Sequence, residues 1–213
     1  MVIPREAGRI TYSTEIRNLK KIVFCEYQKA VIIGNILGDG CLCDNWSKTN
    51  SRLIISHSID QKEYIEWKYE ILKPWILTAP RYYNKNRSLT IRTISHPELT
   101  ALRKIFYVGN KKIIPQNIED LIRNPLTMAV WFMDDGNALK SKEKVRAYHL
   151  NTQSFTFDEN QFLSEIFLKV YGIHTNVHKN NGYFRLYVSS KSIIAFADII
   201  RPHLHPSLLY KLG

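Results

Sequence analysis

Two stretches of this chain are apolar on every side of a helix and end on an acid. The first, Ile32-Ile33-Gly34-Asn35-Ile36-Leu37-Gly38, runs into Asp39-Gly40; the second, Met128-Ala129-Val130-Trp131-Phe132-Met133, runs into Asp134-Asp135-Gly136. Each is long enough for two to three helical turns, and the glycine after the last aspartate reads as a helix stop. Around them the pattern alternates between strand and helix periods. A helix is predicted over 26–37, then two strands within 41–58 on either side of the polar turn 44–50, the second over 52–57. The segment 61–77 is periodic in Tyr64, Ile65, Trp67, Lys68, Ile71, Leu72 and Trp75, an amphipathic helix that Pro74 bends or ends. Strands at 81–83 and 88–93 flank the turn 84–87, and a helix covers 97–106. After a linker at 107–124, Pro125 is placed to open the second apolar helix. A strand over 146–155, a helix over 157–170, a hairpin of 174–179 and 183–189 with Asn180-Asn181-Gly182 at its tip, and a helix over 192–200 lead into a tail at 201–213. Residues 1–24 read as a basic arm.

The order helix, two strands, helix, two strands, helix thus occurs twice, in halves at 25–106 and 125–213. Aligning Asp39 on Asp135 sets an offset of 96 residues, and polar groups recur at that offset. His57 lies 18 residues after Asp39 and Gln153 lies 18 after Asp135, each followed by serine. Lys112 follows Asp39 by 73 residues and Lys211 follows Asp135 by 76. A duplicated fold explains recurring helices; it does not require recurring polar side chains. The apolar runs alone serve two ordinary core helices with aspartates at their ends equally well.

Charge then narrows the partner. Among 213 residues there are 30 Lys and Arg against 19 Asp and Glu, a net charge of +11, with 45% hydrophobic and 12% aromatic residues. A folded, strongly basic chain favours a polyanion, nucleic acid before an anionic membrane. No apolar run approaches the ~20 residues of a membrane span. Cys25, Cys41 and Cys43 are an odd set, which suits a reducing compartment, and no matched Cys/His spacing points to zinc. His203 and His205 read as tail residues. No import signal is evident near Glu6, and the abundance of Lys, Asn, Ile and Tyr hints at an AT-rich organellar genome.

Together the repeated groups suit phosphodiester cleavage. Two carboxylates about 4 Å apart repel by roughly 4 kcal/mol at an effective dielectric of 20; a magnesium ion, which takes oxygen ligands, removes that cost and activates water. Lysines can stabilise charge on the phosphate, and His57 and Gln153 can hold the attacking water. Each of these side chains also has an ordinary reading, as a solvated lysine or a satisfied polar group.

The segments 32–40 and 128–136, with Leu150-Asn151-Thr152-Gln153-Ser154-Phe155 and Tyr210-Lys211-Leu212, resemble the LAGLIDADG homing endonucleases, in particular their single-chain, two-motif members from yeast mitochondrial introns. The resemblance runs from about residue 28 to the end. It implies an α+β fold of two pseudo-symmetric αββαββα halves, with the motif helices packed centrally and a saddle-shaped antiparallel sheet in each half. It implies a monomeric, magnesium-dependent enzyme (manganese also serving, calcium supporting binding without turnover) that cuts both strands of a long asymmetric DNA site, leaves short 3′ overhangs and promotes intron mobility in a mitochondrion or chloroplast. By motif position Asp39 and Asp135 match the metal-binding acids, Gly38 and Asp134 beside them complete the expected metal site, and Asp134 is also expected to make structural contacts. Lys112 and Lys211 match the basic catalytic residues; His57 and Gln153 fall where a water-positioning group often stands. Gly34 and Gly38 face Val130 and Asp134 in the second copy, so the seam cannot be symmetric. The exposed sheet faces should read DNA through Trp46, Lys48, Asn50, Arg52, Tyr82, Asn84, Lys85, Asn86, Arg87 and Arg92 in the first half. In the second they should do so through Lys140, Lys142, Lys144, Arg146, His178, Lys179, Asn180, Asn181, Tyr183 and Arg185. An RNA maturase or a non-cleaving DNA-binding protein on the same scaffold is the alternative.

Overall fold

The structure, a computed structural model, describes residues 14–213. Arg5 and Arg9 of the basic arm lie outside the described residues. The chain divides into two compact units: residues up to Ile32 with Asp39–Lys104, and Ile33–Gly38 with Ile105–Gly213.

In the first unit, helix α1 (Thr14–Leu19) and helix α2 (Glu26–Leu37) precede strands β1 (Cys41–Asp44) and β2 (Ser51–Ser58). Helix α3 (Lys62–Leu72), strands β3 (Arg81–Tyr83) and β4 (Ser88–Arg92) and helix α4 (Pro97–Phe106) follow. The strands form an antiparallel sheet in the order β1-β2-β4-β3. Strand period two sorts β2 cleanly: Leu53, Ile55 and His57 face the core while Ser56 and Ser58 face solvent. Helix α3 covers the inner face with Tyr64, Ile65, Lys68 and Leu72. It stops at Leu72, because Pro74 cannot continue it, and a 3-10 turn over Lys73–Trp75 sends Trp75 inward. There the rings of Phe24, Trp75 and His96 meet, with centroids 4.5 and 4.6 Å from Phe24.

The second unit repeats the plan. A hairpin of β5 (Tyr107–Val108) and β6 (Lys111–Lys112) and a short helix α5 (Ile118–Leu121) occupy the segment read as linker. Helix α6 (Pro125–Asp135) opens with Pro125 at its first turn and Asn124 as cap, accepting from the Leu126 amide. Strands β7 (Gly136–Ser141) and β8 (Lys144–Leu150), helix α7 (Phe157–Tyr171), strands β9 (Thr175–Asn180) and β10 (Tyr183–Val188) and helix α8 (Ile193–Ile200) complete it. The sheet order β7-β8-β10-β9 reproduces that of the first unit. Thr156 and Glu159 close a capping box on α7 and Gly172 ends it in the left-handed region. At the tip of the last hairpin Asn181 and Gly182 both have positive φ, 50° and 83°, which suits a tight right-twisted turn.

Three expectations are amended. The strand foreseen over 146–155 ends at Leu150, because Thr152 and Phe155 turn the chain, and its partner β7 begins directly after the motif. Gly136 does stop α6, but in extended conformation (φ −94°, ψ 155°); glycine is needed there because a Cβ would lie 2.1 Å from the Phe132 ring. The tail docks: Leu204, Leu208 and Leu212 are buried and the Tyr148 hydroxyl donates to the Leu212 carbonyl.

The end of α2 belongs to the second unit and packs on α6. A Cβ on Gly34 would sit 2.6 Å from Val130 Cβ and 2.7 Å from the Thr127 carbonyl oxygen; one on Gly38 would sit 2.5 Å from Asp134 Cβ. Only glycine lets the two backbones approach this closely. Trp131, Phe132 and Met133 are buried to 1% exposure or less, each contributing about 1.5–3 kcal/mol.

A Gly34→Ala variant should therefore be less stable by about 1–3 kcal/mol, measured by urea unfolding, since one obstructing atom is backbone. His96 is held below the usual histidine range, mainly by burial. With the folded form less basic than the unfolded one, its contribution is full above pH ~6.5 and is lost as pH falls below that value. Denaturation midpoints measured from pH 7 to 5 should fall, and fall less in His96→Gln.

Candidate active site

Asp39 follows the last turn of α2, which the Gly38 amide closes onto the Gly34 carbonyl. Its side chain is 41% exposed, and Oδ2 lies 3.4 Å from Nδ1 of His57, whose own side chain is 1% exposed. His57 is therefore held against the acid rather than presented to solvent, and its Nε2 lies 2.7 Å from Lys68 Nζ, within hydrogen-bond distance. In the sequence Lys68 is one more position in the helical period of α3, yet it is fully buried.

In the second unit the motif helix ends on Asp134 and Asp135, both half-buried. The Asp134 carboxylate faces Gly38, its Oδ2 2.8 Å from where a Gly38 Cβ would stand. It is thus the acid turned to the end of the first motif helix. The Asp135 carbonyl accepts from the Asn151 amide at 3.0 Å. Asn151 also receives the Gln153 side-chain amide at 3.5 Å, which places Gln153 in the turn beside Asp135.

The two lysines arrive from different elements and do the same thing. Lys112, on β6, donates to the Gly38 carbonyl at 2.9 Å. Lys211, on the final 3-10 turn Pro206–Leu212, donates to the carbonyls of Met133 and, at 3.2 Å, Asp134. Gly38 and Asp134 are equivalent motif positions, each immediately before the candidate acid. A helix C-terminus carries unsatisfied carbonyls and about half a unit of negative charge, so an ammonium is attracted there. Neither lysine is a loose surface charge. The carboxylates are oxygen donors of the kind that suits a hard divalent ion.

The outer sheet faces are basic and polar. On the first, Arg52 and Arg92 pair across from Cys43 and Ile54, and Trp46, in the β1–β2 turn, is 99% exposed. Lys48 and the half-buried Asn50 lie in that turn; Tyr82, Asn84, Lys85, Asn86 and Arg87 are exposed at the β3–β4 end. On the second, Lys140, Lys142, Lys144, Arg146, Lys179, Asn181 and Tyr183 are exposed, and Arg185 sits opposite His178; Asn180 closes β9. Two residues the pattern did not single out complete this face: Tyr187, whose ring stacks on His178 at 4.4 Å, and His149, 5.5 Å away. Tyr183, Arg185 and Tyr187 alternate along β10, and that spacing was the available signal. Burial, then the charges of Arg185 and His178, hold His149 below the ordinary histidine range. Cys41 and Cys43 share the first face with Sγ atoms 3.4 Å apart and are free thiols; burial and Cys41 push Cys43 up to about 11.

Comparison with known proteins bears on this site. The chain is 28% identical over 213 residues to "Probable intron-encoded endonuclease 1" of Wickerhamomyces canadensis, covering 94% of this chain and 88% of that protein. It is 25% identical over 195 residues to "Cytochrome b mRNA maturase bI2" of Debaryomyces hansenii, covering 86% and 72%. In three dimensions it matches the homing endonuclease I-WcaI bound to its DNA recognition sequence, with TM-score 0.85, 23% identity and coverage of 97% and 96%. The model of the LAGLIDADG DNA endonuclease family matches residues 29–196, and the chain, with both motif copies and their lysines inside one duplicated fold, belongs to that family.

Proposed function

We propose that the protein is a site-specific DNA endonuclease that cuts both strands of a long asymmetric target, leaves short 3′ overhangs and serves intron mobility in a mitochondrion. The observation that carries this reading is the repeated placement of Lys112 and Lys211 on equivalent carbonyls beside Asp39 and Asp135. In each half the acid, Asp39 in the first and Asp135 with Asp134 next to it in the second, is assigned to hold a divalent cation, magnesium first. When bound, that cation supplies an activated water and neutralises charge on the phosphate. Lys112 and Lys211 hold the helix ends and place positive charge where a phosphate oxygen gains negative charge. His57 orients the first acid, and Gln153, beside Asn151, orients water in the second half. The outer sheet faces grip the duplex, the arginines and asparagines at base edges and the lysines at phosphates. One chain carries both halves, which supports a monomer. The relative named as a maturase supports a second reading, binding of intron RNA on the same basic faces; tight RNA binding without cleavage of any DNA site would favour it.

Selection of cleaved sites from a random DNA library in magnesium should return one long consensus. On that site Asp39→Asn and Asp135→Asn should each abolish double-strand cutting, as should chelation of the metal; full cutting by both variants would refute the assignment. Lys112→Met and Lys211→Met should each lower the cleavage rate by about 10²–10³ while leaving binding intact, as read in single-turnover assays. Lys179→Ala should weaken DNA binding and reduce the slope of log affinity against log salt by about 0.9.

A further inference from the structure

Beneath the first acid lies a buried ammonium that the proposed chemistry does not use. Lys68 is completely buried on α3. Its Nζ lies 2.7 Å from His57 Nε2 and 4.1 Å from the centroid of the Tyr64 ring, one helical turn before it. The same tyrosine flanks the imidazole, ring centroids 5.0 Å apart, and Trp67 stacks behind it at 5.7 Å. An ammonium has donors and no acceptor. The histidine nitrogen it faces must therefore carry the lone pair. The ring proton is then left on Nδ1, the nitrogen 3.4 Å from Asp39 Oδ2. The lysine thus selects the tautomer, and the histidine passes that choice to the carboxylate as a directed N–H.

Burying an ammonium is unfavourable unless it is well partnered, and an apolar side chain would fill this place on α3 without that penalty. The second half does without one. At the 96-residue offset, Gln153 stands in place of His57 and Ser164 in place of Lys68. Ser164 is engaged elsewhere, donating to the Thr175 carbonyl at 3.0 Å.

We propose that Lys68 is a positioning residue: acting through His57, it orients the Asp39 carboxylate, so that the two halves support their acids by different means and the two strands are cut unequally when Lys68 is lost. This rests on the reading of Asp39 as an acid of the cleavage site. Outer residues that orient a ligand typically matter 10- to 100-fold.

The test has two readouts. In the metal-free protein, ¹⁵N chemical shifts of the His57 ring should report a single tautomer protonated at Nδ1; in Lys68→Met the Nε2-protonated form should appear. On a supercoiled plasmid carrying the target, Lys68→Met should slow cutting of one strand by about 10- to 100-fold and accumulate circles nicked in the other strand only. Lys68→Arg should restore much of the lost rate. A wild-type ring protonated at Nε2 overturns the proposal, and so does equal slowing of both strands or no slowing of either. The ring spectrum of the wild-type protein decides by itself if Lys68→Met does not fold. Asp39→Asn run in parallel separates the two readings. Unimpaired cutting of both strands by that variant removes the endonuclease site, whereas its failure to cut beside an unaffected Lys68→Met removes only the positioning role.

Discussion

The close approach of two helix backbones at Gly34 and Gly38 is the constraint on which the remaining arrangement depends. Neither position has room for a methyl group, because Val130, the Thr127 carbonyl and Asp134 already fill it. Two apolar helices can pack with larger residues at a wider spacing. Here the spacing is small enough for the second helix to turn a carboxylate toward the end of the first. That close contact makes the C-terminal part of α2 belong with the second unit.

Electrostatics completes what packing begins. Two helices that end on acids concentrate negative charge, their own termini adding to it. The chain answers with a lysine from β6 for one helix and a lysine from the last 3-10 turn for the other. The elements that supply these lysines differ, yet the carbonyls they meet are equivalent. Duplication accounts for the equivalent carbonyls and for lysines that follow the two acids by 73 and 76 residues. Beneath Asp39 the first half adds a buried lysine and histidine, and there the equivalence of the halves ends.

Much of this was legible in the residues, and the gaps have physical causes. The motif helices, the second hairpin and Pro97–Phe106 follow from apolar runs, turn residues and a proline start, all local signals. Strand β7 was less visible because Gly136-Asn137-Ala138-Leu139-Lys140 has weak strand character and is held in the sheet by β8. The segment 107–124 reads as polar connection, yet it carries the β6 lysine, whose importance comes from a carbonyl 74 residues away. For the candidate site, the acids and lysines are visible through the repeat. Lys68 is not, because a lysine on a helix face ordinarily points to water and only the tertiary fold shows that this one does not. His149 and Tyr187 were hidden in the same way, as alternating positions whose outward direction depends on which sheet face is covered.

Helix α2 is one continuous rod, yet Glu26–Ile32 belongs to the first unit and the rest of the helix, with Gly38 after it, to the second. The hydrophobic interior of the C-terminal unit therefore contains a strip of peptide made long before the rest of it. During synthesis that strip, apolar on most sides, stays uncovered until α6 emerges. For protein engineers, the natural module boundary is not the loop between the two sheets: recombining halves from different relatives means matching a six-residue ridge from one parent to the helix of the other.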